Sequence, residues 1–221
     1  MIQPKEIISQ IDRLTGCLIE NSFSCDQNFS SINNYSEGFT TISWSGEANI
    51  SETFNNNLSY KEIYDICRDR RYFTLLLVDE AIIQFYYNFK NGVLMNHRIA
   101  FLPSPYLEEF QNHPELYIDD LIYAEVINKS LVPSPIRFDY DKKSFEDTIH
   151  PQSHMTIGQY QNCRIPVRSA LTPFQFINFI FNNFYNNVLF KTELYDKCNE
   201  IYFGSSITPS ESNLVHMNFE A

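Results

Sequence analysis

The chain has 221 residues, of which 43% are hydrophobic and 15% aromatic, and its net charge is −11. This composition excludes a disordered tail, and the acidic balance excludes broad binding to duplexes, so nucleic acid could be met only through a focal basic patch. Five cysteines without a CxxC pair fit neither a disulfide framework nor a zinc ribbon, and no apolar run approaches about 20 residues, so a cytoplasmic protein without signal peptide or membrane span is expected.

Ile7, Ile8, Ile11, Leu14, Leu18 and Ile19 recur at helical spacing, and Pro4 suits a first turn, which predicts an amphipathic helix over 5–19. Residues 21–58 are rich in Asn and Ser and read as an ordered loop with one strand, "FTTISWSG", which holds Trp44. "SYKEIYDICRDR" follows as a short helix, with Ser59 as N-cap and Glu62 completing a capping box.

The segment "YFTLLLVDEAIIQFYYNFKNGVLMNHRIAFLPSP" carries the clearest β signal. Asp79-Glu80 and Asn91-Gly92 separate three runs of β-branched and aromatic residues, an antiparallel meander over 72–101. In its middle strand Ile83, Phe85, Tyr87 and Phe89 share one face, and Gln84, Tyr86 and Asn88 the other. His97 alternates with Met95, Ile99 and Phe101, which marks it as a buried histidine satisfied by one hydrogen bond.

Prolines bound two short helices expected at 106–112 and 114–127 and the extended "PSPIRFDYD" after them. There Phe138 and Tyr140 point one way, and Arg137, Asp139 and Asp141 the other. "SHMTIGQY" alternates His154, Thr156, Gly158 and Tyr160 against Met155, Ile157 and Gln159, and "CRIPV" suits an edge, so 136–167 is a strand segment. Thr172-Pro173 caps a packing helix over 172–185 with Phe176, Ile177, Ile180, Phe181 and Phe184 as its stripe. "ELYDKCNEIYF" reads as a further short helix, "GSSITPSESN" as a loop and "LVHMNFE" as an edge strand. Together these elements predict one α+β domain over 1–221, an antiparallel sheet meander packed by helices.

"SPYLEEF", "IRFDYD", "HPQSHMTIGQYQNCRIPV" and "LTPFQFINFIFNNFY" together resemble a bacterial family known only as a domain of unknown function, number 2290 in its series. The resemblance runs from about Tyr72 to Tyr185. It implies a single domain and supplies no activity, cofactor or mechanism.

The His-containing block concentrates the chemistry. His150 and His154 lie four apart, Pro151 argues against a helix, and in an extended chain both would share one face and be partly exposed together. With Arg137, Asp139 and Asp141 on an adjacent strand, one imidazole could take a proton from the nucleophile of a phosphodiester cleavage and the other protonate the leaving oxygen. Arg137 or Arg164 would stabilise the charge, and Tyr160 or Thr156 would help by hydrogen bonding. "HMTI" matches one copy of the H-x-[ST]-x element that two-histidine phosphoesterases carry twice; His150 begins "HPQS" and His216 begins "HMNF", so the second copy is missing.

Metal-free chemistry needs no cofactor. A divalent metal on Asp139, His150 and His154 ranks below it, because such sets are defined by geometry rather than spacing. A purely structural role ranks level with function: His150 would cap a turn, and His154 would bond a carboxylate and pin its strand. "FDYDKK" and "EVINK" contain the Asp, Glu and Lys of a nuclease core in the wrong order. "RDRR" (68–71) is the densest basic run, and Cys163 beside Arg164 is a structural thiol by default.

Three functions remain open. One is a hydrolase, a phosphodiesterase or nuclease-like effector in a defence or toxin-type system. Another is an interaction subunit that meets a second protein of the same bacterial system through exposed Tyr86, Phe174 and Tyr185. The third is a small-ligand or nucleotide sensor with the aromatic sheet face as its pocket.

Overall fold

The computed structural model describes residues 2–44, 58–106, 134–160, 162–185 and 201–219. Helix α1 (Pro4–Glu20) opens with Pro4 in its first turn and a capping box in which the Gln3 backbone N–H donates to Glu6 Oε2 at 2.7 Å. Its Ile7, Ile11, Leu14 and Leu18 stripe is wholly buried. The helix therefore forms for the reason its spacing suggests: one face is apolar and has a sheet to cover.

That sheet has nine antiparallel strands among the described residues: β1 (Ser24–Gln27), β2 (Ser30–Asn34), β3 (Phe39–Trp44), β4 (Leu75–Leu77), β5 (Ile82–Lys90), β6 (Val93–Leu102), β7 (Ile136–Asp141), β8 (Ser153–Ile157) and β9 (Ile165–Pro166). The main path runs β1-β4-β5-β6-β7-β8-β9, and β3 pairs with both β2 and the far end of β5. The β4-β5-β6 meander turns where its dipeptides predict. Asn91 and Gly92 both take positive φ, and the tip of the β2-β3 hairpin docks there, because a Cβ on Gly38 would sit 2.0 Å from the Asn91 side-chain oxygen.

Three expectations for the flanks are corrected. The stretch 21–58 holds β1 and β2 as well as β3; "SCDQ" and "SSINN" have no apolar alternation because they pair through backbone at the sheet margin and bury little. Within "GSSITPSESN" a one-turn helix, α4 (Pro209–Ser212), forms on a Thr208 cap with Glu211 closing the box. The C-terminal edge strand reduces to a single parallel bridge between Val167 and Met217. The helices expected at 106–112, 114–127 and 193–203 lie outside the described residues except for their ends at Tyr106 and 201–203.

Helix α2 (Tyr60–Asp69) starts on the predicted Ser59 and Glu62 box. Helix α3 (Pro173–Phe184) starts on Thr172, with Gln175 as its reciprocal partner. The core lies between the sheet and the α1/α3 layer: Ile83, Phe85, Tyr87 and Phe89 of β5 meet Phe176, Ile177, Ile180 and Phe181 of α3. Phe174 and Tyr185 belong to this core, so the exposed-aromatic interface expected of them is not there. The Tyr185 hydroxyl is drawn inward to donate to the buried Asp79 carboxylate at 2.6 Å. A smaller cluster packs α2 onto the opposite face through Ile63, Tyr64, Cys67, Ile82 and Leu102. His97 lies on the core side between the rings of Tyr87 and Tyr140, its Nε2 accepting one hydrogen bond from the Leu171 N–H at 3.1 Å. Burial pushes its pKa down to about 4.

Candidate functional site

Because β7 buries Phe138 and Tyr140 in the core, the pleat turns Arg137, Asp139 and Asp141 to the other face. Cross-strand register then sets Tyr86 opposite Arg98, Arg98 opposite Asp139, Asp139 opposite His154, and His154 opposite Pro166. Four strands thus deliver one lateral row of polar side chains. A second row beside it runs Gln84, Ala100, Arg137 and Thr156.

Asp139 is the hub. Arg98 Nε donates to Oδ1 at 2.8 Å and Arg137 Nε to Oδ2 at 2.5 Å, while the two guanidinium side chains remain 31% and 24% exposed. Burial works to raise the Asp139 carboxyl, but the two adjacent cations outweigh it and hold its pKa at about 2. His154 Nε2 lies 3.8 Å from Asp139 Oδ2, and its Nδ1–H donates to the Pro151 carbonyl at 2.9 Å. Burial lowers the His154 pKa and Asp139 opposes that shift. At neutral pH the ring is therefore uncharged, locked by Pro151 and aimed at the carboxylate.

The two histidines do meet. Their ring centroids are 4.9 Å apart at 70°, edge to face. His150 is delivered by a tight return of the chain, in which its N–H donates to the Glu146 carbonyl at 2.7 Å and Thr148 takes a positive φ. The expected joint exposure does not hold, however. His154 is only 3% exposed, because it sits mid-ladder between β7 and β9 with the His150 ring against it, whereas His150 is half-buried. His150 Nδ1 is enclosed without a partner, so Nε2 is the nitrogen through which it can meet a ligand.

The other expected members sit outside this cluster. Strand β8 ends at Ile157, and the Gly158 turn, with φ 64°, breaks the alternation before Tyr160, which is 76% exposed. Arg164 lies one residue before β9, half-exposed, and makes no hydrogen bond or ion pair with the histidines or Asp139. Thr156 is buried in the second row. Arg98 and Tyr86 were missed as partners, although the alternation that places His97 in the core already puts Arg98 on the opposite face. Of the basic run at 68–71, Arg68 pairs with Glu80 and Arg71 with Asp26, while Arg70 is exposed.

The set Asp139, His150 and His154 does not fit a metal ion. Both Asp139 oxygens already accept from guanidinium groups whose charges would repel a cation, and no three His, Cys, Asp or Glu side chains converge among the described residues. No helix among those residues is long and apolar enough to cross a membrane. A family model described as "Uncharacterized conserved protein (DUF2290)" matches residues 22–219. No curated protein and no solved structure matches the chain.

Proposed function

The chain belongs to the DUF2290 family, a membership that names no reaction, and from the chemistry of the site we propose a metal-independent phosphodiester hydrolase, a nuclease-like effector with His150 as its proton-transfer group. The observation that carries this reading is the contact chain from a half-exposed imidazole to two cations: His150 against His154, His154 facing Asp139, and Asp139 holding Arg98 and Arg137. His150 takes the proton of the attacking hydroxyl, the bond from phosphorus to the leaving oxygen breaks, and the imidazolium returns the proton to that oxygen. Arg98 and Arg137, immobilised by Asp139, stabilise the charge that grows on the phosphoryl oxygens. His154 positions the His150 ring and does not itself touch substrate.

Cleavage of bis(p-nitrophenyl) phosphate and of labelled RNA and DNA strands in the presence of chelator tests this. The hydrolase reading expects chelator-resistant turnover that falls about 10²–10⁴-fold in His150→Ala. Turnover abolished by chelator, or unchanged in that variant, overturns it. The burial of His154 favours a second reading, recognition of a phosphate ligand without cleavage, since only one imidazole reaches the surface. Nucleotide binding that depends on His150 and Arg137 with no turnover by the parent protein would support that reading instead.

A further inference from the structure

The polar row is one part of a wider surface. Register carries the same face outward from β5 onto β3 and β2: Asn88 lies opposite Thr41, which lies opposite Asn33, while Lys90 lies opposite Phe39. Asn88 is also opposite Asn96, which is opposite Asp141. The core side of these strands is apolar, with Ile32, Ile42, Tyr87 and Phe89. This side carries amides, hydroxyls, aromatic rings and cations, and apart from Gln84, Asp139, His154 and Thr156 these groups are half-buried or exposed.

Its charge differs from that of the molecule. In a chain of net charge −11, the ladder positions of this face hold Lys90, Arg98 and Arg137 against Asp139 and Asp141. Lys90 Nζ stands 4.7 Å from the centre of the Phe39 ring, so a cation and an aromatic plane form one unit at the margin. Tyr35, 56% exposed, directly follows the end of β2. Asn88 Oδ1 is enclosed with no hydrogen-bond partner, an acceptor set among these groups.

We propose that this face is a binding surface for single-stranded nucleic acid, running from Tyr35, Phe39 and Lys90 across Tyr86 to Arg98 and His150. This deepens the hydrolase reading and rests on it for the role of His150. Six strands at about 4.8 Å spacing give a path of roughly 24 Å, long enough for several nucleotides. Bases stack on Tyr86 and Tyr35, amides of Asn33, Asn88 and Asn96 meet base edges, and Lys90, Arg98 and Arg137 follow the phosphates. Unpaired bases are required because stacking on a side-chain ring needs an open base face, which a duplex keeps within its own stack. Because the phosphates are met by cations, affinity falls as salt rises.

Fluorescence anisotropy of a labelled 15-nucleotide RNA and DNA, against the same sequence as a duplex and against heparin, tests the surface. Tyr86→Ala is expected to weaken single-strand binding roughly tenfold and Tyr86→Phe to restore it, because the stacking plane is kept. Matching thermal melts should confirm that both variants fold. Oligonucleotide binding that responds to Tyr86 but comes without any turnover would uphold the surface and remove the hydrolase reading. No oligonucleotide binding by the parent, equal affinity for duplex or heparin, or indifference to both Tyr86→Ala and Lys90→Glu would overturn the surface even if the small diester is cleaved.

Discussion

Along β5, residues 83, 85, 87 and 89 are sealed beneath α1 and α3, while their neighbours 86, 88 and 90 stay partly open on the face that carries Arg98 and Asp139. Both faces contain polar groups, but these are satisfied in different directions. On the core face three residues bond across the layers to the chain leading into α3: the Tyr87 hydroxyl donates to the Leu171 carbonyl at 2.9 Å, His97 Nε2 accepts from the Leu171 N–H, and the Ser153 hydroxyl donates to the Ser169 carbonyl at 2.8 Å. On the other face Arg98, Arg137, Asp139 and His154 interact sideways, strand to strand. Bonds across layers fasten the fold. Bonds within the plane of the sheet order the side chains of the row against one another.

The largest effect expected from this contrast is on the core side. Phe176 is fully buried and meets Phe85 and Phe138 edge-on at 5.8 and 5.9 Å, so Phe176→Ala should cost about 3–5 kcal/mol in urea unfolding. A cost below about 1 kcal/mol would mean that α3 is not the cover of this core.

The pH response should also come mostly from the core face. The folded pKa of His97 lies below its unfolded value, so its contribution to stability is complete above pH 6.5 and is lost as the pH falls toward 4. The loss should reach roughly 3 kcal/mol by pH 4. His154 is shifted in the same direction. Urea melts across this window for the parent, His97→Gln and His154→Gln separate the two faces, and a stability difference between parent and His97→Gln that is the same at both ends would refute the burial of His97.

Asp139→Asn keeps the shape of the hub and removes its charge. Two guanidinium groups then lose their shared carboxylate, and a cost of about 1–3 kcal/mol is expected, reduced from that of a sealed ion pair because both arginines reach solvent. Equal stability of parent and variant would show that the row contributes only to function. The smallest effect is expected at Tyr86, where Ala should cost about 1 kcal/mol or less in the same assay. A loss as large as that of Phe176→Ala would make Tyr86 part of the core and end the contrast between the faces.

Periodicity alone determined much of this protein. The α1 and α3 stripes, the Ser59 and Thr172 boxes, the β4-β5-β6 turns, the two faces of β5 and the burial of His97 all follow from local spacing and capping chemistry. So does the division of Asp139 from Phe138, since a pleat alternates whatever its neighbours are. Tertiary structure decided what local patterns do not encode. Strands β1 and β2 are held by partner backbone rather than by apolar side chains, and Phe174 and Tyr185 are buried because other elements close over them. The site divides along the same line. That His150 and His154 meet is the work of the tight return before Pro151 and not of extended-chain spacing, and burial of one and partial exposure of the other depended on where β7 and β9 flank the ladder. The link from Asp139 to Arg98, 41 residues away in sequence, is set by the β6-β7 register, and register is a property of paired strands that neither strand specifies alone.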